Sequence, residues 1–199
     1  MKVIVYSDYV CPFCFLELPA LERLQREEGV ELDYRAFELR PDPVPTLDPT
    51  GDYLTTTWSR SVYPMAERMG VPIKLPPVQP RSRMAFEGAE FARDAGKLDA
   101  YTRAVHEAFF QQGRDIGRED VLVDIARQLQ LDGDNLRKSL RDHRYLPRVL
   151  EQEREAQELG INSVPSMVIG NCLVPGAVPY ETLKKLVDQV RQSVPATSA

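Results

Sequence analysis

From residue 3 to residue 6 the chain reads Val-Ile-Val-Tyr, a continuous apolar run of strand length. Phe15, Leu18, Leu21 and Leu24 then recur at helical spacing, which predicts a helix over residues 12–28 with Gly29 ending it. Val30, Leu32, Tyr34 and Ala36 alternate with Glu31, Asp33 and Arg35, the period of a half-buried strand. The opening zone therefore reads strand, helix, strand.

The pattern changes after residue 40. Pro41, Pro43, Pro45 and Pro49 rule out regular structure and mark a connection. A long helical zone follows. Residues 53–69 are expected to be helical, broken or kinked at Pro64. A second proline-rich link spans 70–80. Ala85, Ala89 and Ala92 mark one helix face and Leu98, Tyr101, Val105 and Phe109 the next, with Gly96 and Gly113 as stops. Leu122, Ile125 and Leu129, then residues 136–140 and 146–159, complete the set, and Gly160 closes it. Residues 166–169 and 172–174 are short apolar runs split by Gly170-Asn171, a hairpin signal. Leu183, Leu186, Val187 and Val190 give a final helix. The expected fold is an α/β layer over 1–40 and 159–193, interrupted by an all-helical insertion over 41–158, with a flexible tail at 194–199.

Composition narrows the function classes. The chain has 199 residues, 43% hydrophobic and 28% charged, with a net charge of −5 and its basic residues scattered among acidic ones. Nucleic-acid binding, which needs a basic face, is not expected. No apolar run approaches the ~18–20 residues of a membrane span. The run after Lys2 is too short for a signal-peptide core and lacks a small-residue cleavage site, so a cytoplasmic location is expected.

Three cysteines focus the chemistry: Cys11, Cys14 and Cys172. That is too few for a disulfide scaffold. In a reducing compartment a Cys-x-x-Cys pair is catalytic, redox-sensing or metal-binding more often than structural. Here Cys11-Pro12-Phe13-Cys14 sits where a strand becomes a helix, with Cys11 at the N-cap and Pro12 at the first helical position. The spacing allows a disulfide without large backbone movement. The helix N-terminus favours a thiolate on Cys11, the species that attacks disulfides, and Cys14 would resolve the product. A zinc site needs four ligands. Only Cys172, His106 and His143 remain, unpaired, so no metal is expected. Both histidines are expected on helix surfaces beside charged neighbours, and Cys172 as a small half-buried apolar residue. Val164-Pro165, between a helix stop and a strand, is a candidate for a cis bond because X–Pro bonds adopt cis at small cost.

These residues carry a resemblance. The arrangement resembles the DsbA-type branch of the thioredoxin superfamily, in which a helical domain interrupts a thioredoxin core. Residues 7–14 (Ser-Asp-Tyr-Val-Cys-Pro-Phe-Cys), 37–41 (Phe-Glu-Leu-Arg-Pro), 160–166 (Gly-Ile-Asn-Ser-Val-Pro-Ser) and 175–177 (Pro-Gly-Ala) resemble its FrnE-like cytoplasmic subgroup. Pro19 matches the proline that kinks the active-site helix of thioredoxins. The resemblance implies thiol–disulfide exchange, with Cys11 as nucleophile, Cys14 as resolving thiol and Pro165 as a cis-proline facing them. The Val164 backbone would bond an extended substrate. Two positions depart from the pattern. Phe13 stands where many periplasmic relatives carry His, and Val5 where a buried acid often sits. Pro12 and Phe13 are thus the residues that tune the motif. The proton acceptor must lie elsewhere, with Asp8 and Glu38 as candidates, each also readable as an ordinary loop or strand-end carboxylate. No cofactor is implied beyond the Cys11–Cys14 redox pair, with glutathione a further candidate co-substrate. Substrate proteins or small thiols and disulfides are the partners implied, and the oligomeric state stays open. Two rival functions remain at this point. One is a glutathione-dependent isomerase or transferase like 2-hydroxychromene-2-carboxylate isomerase, a branch in which serine usually replaces the first cysteine. The other is a binding module without turnover.

Overall fold

The structure, a computed structural model, describes residues 1–193. Lys2–Ser7 form β1, which is apolar enough to lie between two neighbouring strands at the centre of the sheet. Pro12–Glu28 follow as α1. Pro12 supplies a preset φ in the first turn, where its missing N–H costs nothing, and Gly29 ends the helix in the left-handed region at φ 62°. Glu31–Ala36 (β2) run parallel to β1, from Lys2 opposite Glu31 to Ser7 opposite Ala36.

The sheet is completed from the far end of the chain. Ser166–Ile169 (β3) pairs antiparallel with β1, placing Tyr6 opposite Ser166, and turns through Gly170 and Asn171 into Cys172–Pro175 (β4). Among the described residues the sheet has four strands in the order β2-β1-β3-β4. Tyr180–Ser193, the last helix, packs against α1 and β3. The residues expected as a tail, 194–199, lie outside the described ones.

Between β2 and β3 the chain is helical: Asp52–Thr57 (α2), Tyr63–Met69 (α3), Arg83–Asp94 (α4), Leu98–Phe110 (α5), Glu119–Gln128 (α6), Gly133–Arg141 (α7) and Leu146–Glu158 (α8). Tyr180–Ser193 is then α9. The break expected at Pro64 takes another form. A π-helical turn, Trp58–Val62, joins α2 to α3, and Tyr63 N–H reaches back to Trp58 O. Pro64, which has no N–H to return, falls in the first turn of α3. The path stays helical through the proline.

The insertion shares its core with the sheet. Helix α5 packs on α1 and β2, and α8 on β2. Val3, Val5, Leu16 and Leu21 belong to one buried cluster with Tyr101, Val105, Phe109 and Leu122. Side chains from α8 and α4 also close the outer edge of β2: Ala36 N–H donates to Gln152 Oε1 at 2.9 Å, and Arg93 donates to Tyr34 O. That edge is therefore not open for strand addition. A second, smaller cluster gathers Tyr6, Cys11, Cys14, Ala156, Ile161 and Val164 at the end of β1.

Candidate active site

The strand-to-helix junction places both thiols. Cys11 is the N-cap of α1, with extended backbone at φ −87° and ψ 115°. Its carbonyl accepts from Cys14 N–H at 3.1 Å and Phe15 N–H at 3.3 Å, while its own N–H donates to Asp8 O at 3.0 Å. Cys11 Sγ lies 3.5 Å from Val164 O, so the chain brings residues from its two ends together here. Both thiols are free and nearly covered, at 4% and 2% exposure. Burial pushes the Cys14 thiol well up from its ordinary value, and the adjacent Cys11 adds to the shift. Cys14 is therefore a protonated thiol at neutral pH, and something must take its proton before it can attack.

A cavity of about 300 Å³ opens in front of Cys11. Cys11, Pro12, Phe13 and Val164 form its core side, and Leu47, Leu54 and Trp58 from the proline-rich loop and the α2 region form an apolar wall opposite. Asp8, Glu38, Arg40, Arg81 and Ser82 supply its polar groups. Pro165 is not among the lining residues. It precedes β3, its carbonyl accepts from Gly176 N–H at 2.7 Å, and the Val164–Pro165 bond is cis, as is Asp42–Pro43.

The two candidate carboxylates both line the cavity but differ in their partners. Asp8 is fully buried; its oxygens accept from Leu39 N–H at 2.7 Å and Val10 N–H at 3.3 Å. Burial pushes its carboxyl up to about 6, against those hydrogen bonds and with a smaller push from Glu38. It can thus exchange a proton near neutrality. Glu38 instead pairs with Arg83, whose Nε and Nη2 approach Oε2 at 2.8 and 2.6 Å.

Several sequence expectations need correction. His106 is wholly buried, with Nδ1 2.9 Å from Thr102 O and its ring among Tyr9, Phe15 and Phe110. Helix α5 is covered on more than one side, so a residue beside the predicted stripe is interior too. Burial lowers the His106 pKa to about 4, making the ring neutral, and its Nδ1 must carry the hydrogen that meets a carbonyl. His143 lies not on a helix but in the turn after α7, at φ 48°, with Nδ1 3.1 Å from Glu87 Oε1. Cys172 is half-buried at the start of β4 and does not line the cavity. Among the described residues no group of three His, Cys, Asp or Glu side chains is placed to hold a metal ion, and no helix is long and apolar enough to cross a membrane. Sequence reasoning missed Glu17, a buried carboxyl on α1 between Leu16 and Leu18. An acid inside an otherwise apolar run was the available signal.

Comparison with known proteins bears on the fold. The chain is 38% identical over 190 residues to YwbO of Bacillus subtilis (strain 168), a match covering 92% of this chain and 94% of that one. Its fold superposes on a 2-hydroxychromene-2-carboxylate isomerase with a TM-score of 0.84 at 20% identity, covering 100% of both chains. It also superposes on the cytosolic disulfide reductase DsbM of Pseudomonas aeruginosa with GSH, at a TM-score of 0.71 and 17% identity over 96% of each chain. At these identities the two structures share the fold. The model of the DSBA-like thioredoxin domain matches residues 2–188, and the chain belongs to that family.

Proposed function

We propose that this protein is a thiol–disulfide oxidoreductase in which Cys11 attacks and Cys14 resolves. What carries this reading is the pairing of both thiols at the first turn of α1, with Cys11 lining the cavity beside the Val164 carbonyl. In exchange, the Cys11 sulfur attacks one sulfur of a substrate disulfide and the other leaves as a thiolate. Cys14 then attacks Cys11, releasing the second half of the substrate and closing the Cys11–Cys14 disulfide. Val164 and Pro165 present the backbone beside which an extended substrate lies. The isomerase branch usually has serine where this chain keeps Cys11, which favours dithiol chemistry. The motifs of residues 7–14 and 160–166 support a place in the FrnE-like subgroup. A cytosolic neighbour described with GSH supports a cytoplasmic setting and a glutathione co-substrate.

The direct test is equilibration in glutathione buffers of graded ratio, followed by alkylation and mass analysis. Cys11 and Cys14 are expected to titrate together as a two-electron couple while Cys172 alkylates at every ratio. Pairing of Cys172 with either thiol would sink the assignment.

Two further outcomes belong to the same site. Phe13→His is expected to raise the reduction potential by ~30–60 mV, because a histidine can donate to or oppose the Cys11 thiolate as a phenyl ring cannot. A hydrogen bond to a charged group contributes ~1.5–3 kcal/mol, and ~30 mV corresponds to ~1.4 kcal/mol for a two-electron couple. An unchanged potential in that variant means the ring never senses the thiolate. The second outcome concerns Asp8, proposed as the acceptor of the Cys14 proton. The resolving rate is expected to fall as pH drops through about 6, where Asp8 gains its own proton. Asp8→Asn should slow the step and flatten that limb; an identical pH profile in the variant excludes Asp8 from the role.

A further inference from the structure

The cavity in front of Cys11 holds charged groups that the exchange chemistry does not use. Glu38 lines it with a side chain only 2% exposed; Arg83 occupies Oε2, while Oε1 has no hydrogen-bond partner among the described residues. A buried carboxylate oxygen without a donor is costly, and an N–H or ammonium brought by a ligand would satisfy it. Arg40 lines the same cavity, half-buried. Its guanidinium donates to Pro45 O at 3.3 Å and meets no carboxylate among the described residues. Arg81, by contrast, is already engaged by Asp42 at 3.1 Å. One carboxylate oxygen without a donor and one guanidinium without a carboxylate, among the described residues, therefore belong to residues that line a space of about 300 Å³ with Cys11.

We infer that the disulfide this site receives is a small one with an α-amino-acid head, its carboxylate on Arg40 and its ammonium on Glu38. The inference rests on Cys11 being the attacking thiol. The Cys11 sulfur bonds to the near sulfur of the ligand, the ligand S–S bond breaks, and one half leaves as a thiolate that takes a proton from water. The amino-acid half stays on Cys11 as a mixed disulfide. Cys14 then gives its proton to Asp8 and bonds to Cys11, the departing sulfur leaves as a thiolate that takes a proton from water, and two electrons have passed from the protein pair to the ligand.

Disulfides of matched size separate the two charges. Cystine carries both, cystamine only the ammonium, 3,3′-dithiodipropionate only the carboxylate, and hydroxyethyl disulfide neither. Single-turnover oxidation of the pre-reduced full chain is measured with each and normalised to its rate with dithiothreitol. Cystine is expected to exceed hydroxyethyl disulfide by about tenfold or more, the scale of one charged hydrogen bond. The ratio of dithiodipropionate to cystamine rates is expected to fall about tenfold in Arg40→Met and to rise by a similar factor in Glu38→Gln. Equal normalised rates for all four, or a ratio that neither substitution moves, overturns the ligand class and leaves the exchange reading intact. No reaction with any of the four overturns both.

Discussion

Cys14→Ser is expected to hold substrate on Cys11 as a lasting mixed disulfide, and Cys11→Ser to reduce exchange by about a thousandfold or more, the scale seen when a nucleophile is removed. The asymmetry follows from burial and position. Cys11 caps α1 beside the cavity, whereas Cys14 lies one turn deeper with its thiol pushed up by burial and by Cys11. Every unit by which a thiol pKa exceeds the ambient pH cuts its thiolate tenfold, so Cys14 cannot replace Cys11 as first attacker. Once a mixed disulfide forms, the same proximity makes Cys14 the nearest nucleophile. Mass analysis of each variant after mixing with a disulfide substrate reads both outcomes. Faster alkylation of Cys14 than of Cys11 at neutral pH would reverse the two roles.

Glu17→Gln is expected to stabilise the fold at and above pH 8 by roughly 2–4 kcal/mol and to abolish a loss of stability that wild type shows on the way there. Glu17 has no exposed surface; Oε2 accepts from Val178 N–H at 3.1 Å and Oε1 has no partner among the described residues. Burial pushes its carboxyl from 4.5 up to about 8. The folded pKa is raised, so between those values the native state keeps a proton that the unfolded chain releases, and stability falls as pH rises. Below pH 6.5 the effect is masked. Asp8 acts in the same direction as Glu17 up to about pH 6, while His106, lowered to about 4, acts in the opposite one. Between pH 6.5 and 8 those two have finished titrating, and the difference between wild type and variant isolates a Glu17 slope of up to ~1.4 kcal/mol per pH unit. Glutamine keeps the acceptor for Val178 and cannot ionise. Urea unfolding of both proteins at pH 6.5, 8 and 9 measures the difference; parallel curves would show that Glu17 does not ionise on unfolding in this range.

Most of this fold was readable in the chain because local physics and tertiary role agree. Val3 to Tyr6 is apolar because β1 is central, and Gly29 closes α1 because its backbone is left-handed. The placing of the two thiols at the start of α1 was readable for the same reason, since Pro12 and the helix start lie beside them in sequence. The cavity wall was not. Trp58 reaches the site through a π-helical turn, and no periodicity in residues 53–69 indicates which side faces Cys11. His106 was misplaced because a stripe at helical spacing marks one buried face, and α5 has more than one. Glu38 and Arg40 were both in view, one as a candidate base and one as part of a motif. What each could offer a ligand became visible only in the structure, where Arg83 takes one Glu38 oxygen and leaves the other without a donor among the described residues, and Asp42 engages Arg81 rather than Arg40.

The pairing of β1 with β3 also sets an order of events during synthesis. Cys11 and the Val164 carbonyl that covers it are 153 residues apart in the chain. At ~5–20 residues per second, the ribosome finishes the thiol pair about 8–30 s before it adds the segment that packs over it. Until then β1 lacks its antiparallel neighbour and α1 lacks α9, so the nascent chain presents two adjacent thiols without Asn162, Ser163 and Val164 on their side of the cavity. The thiol pair is thus made first and enclosed last.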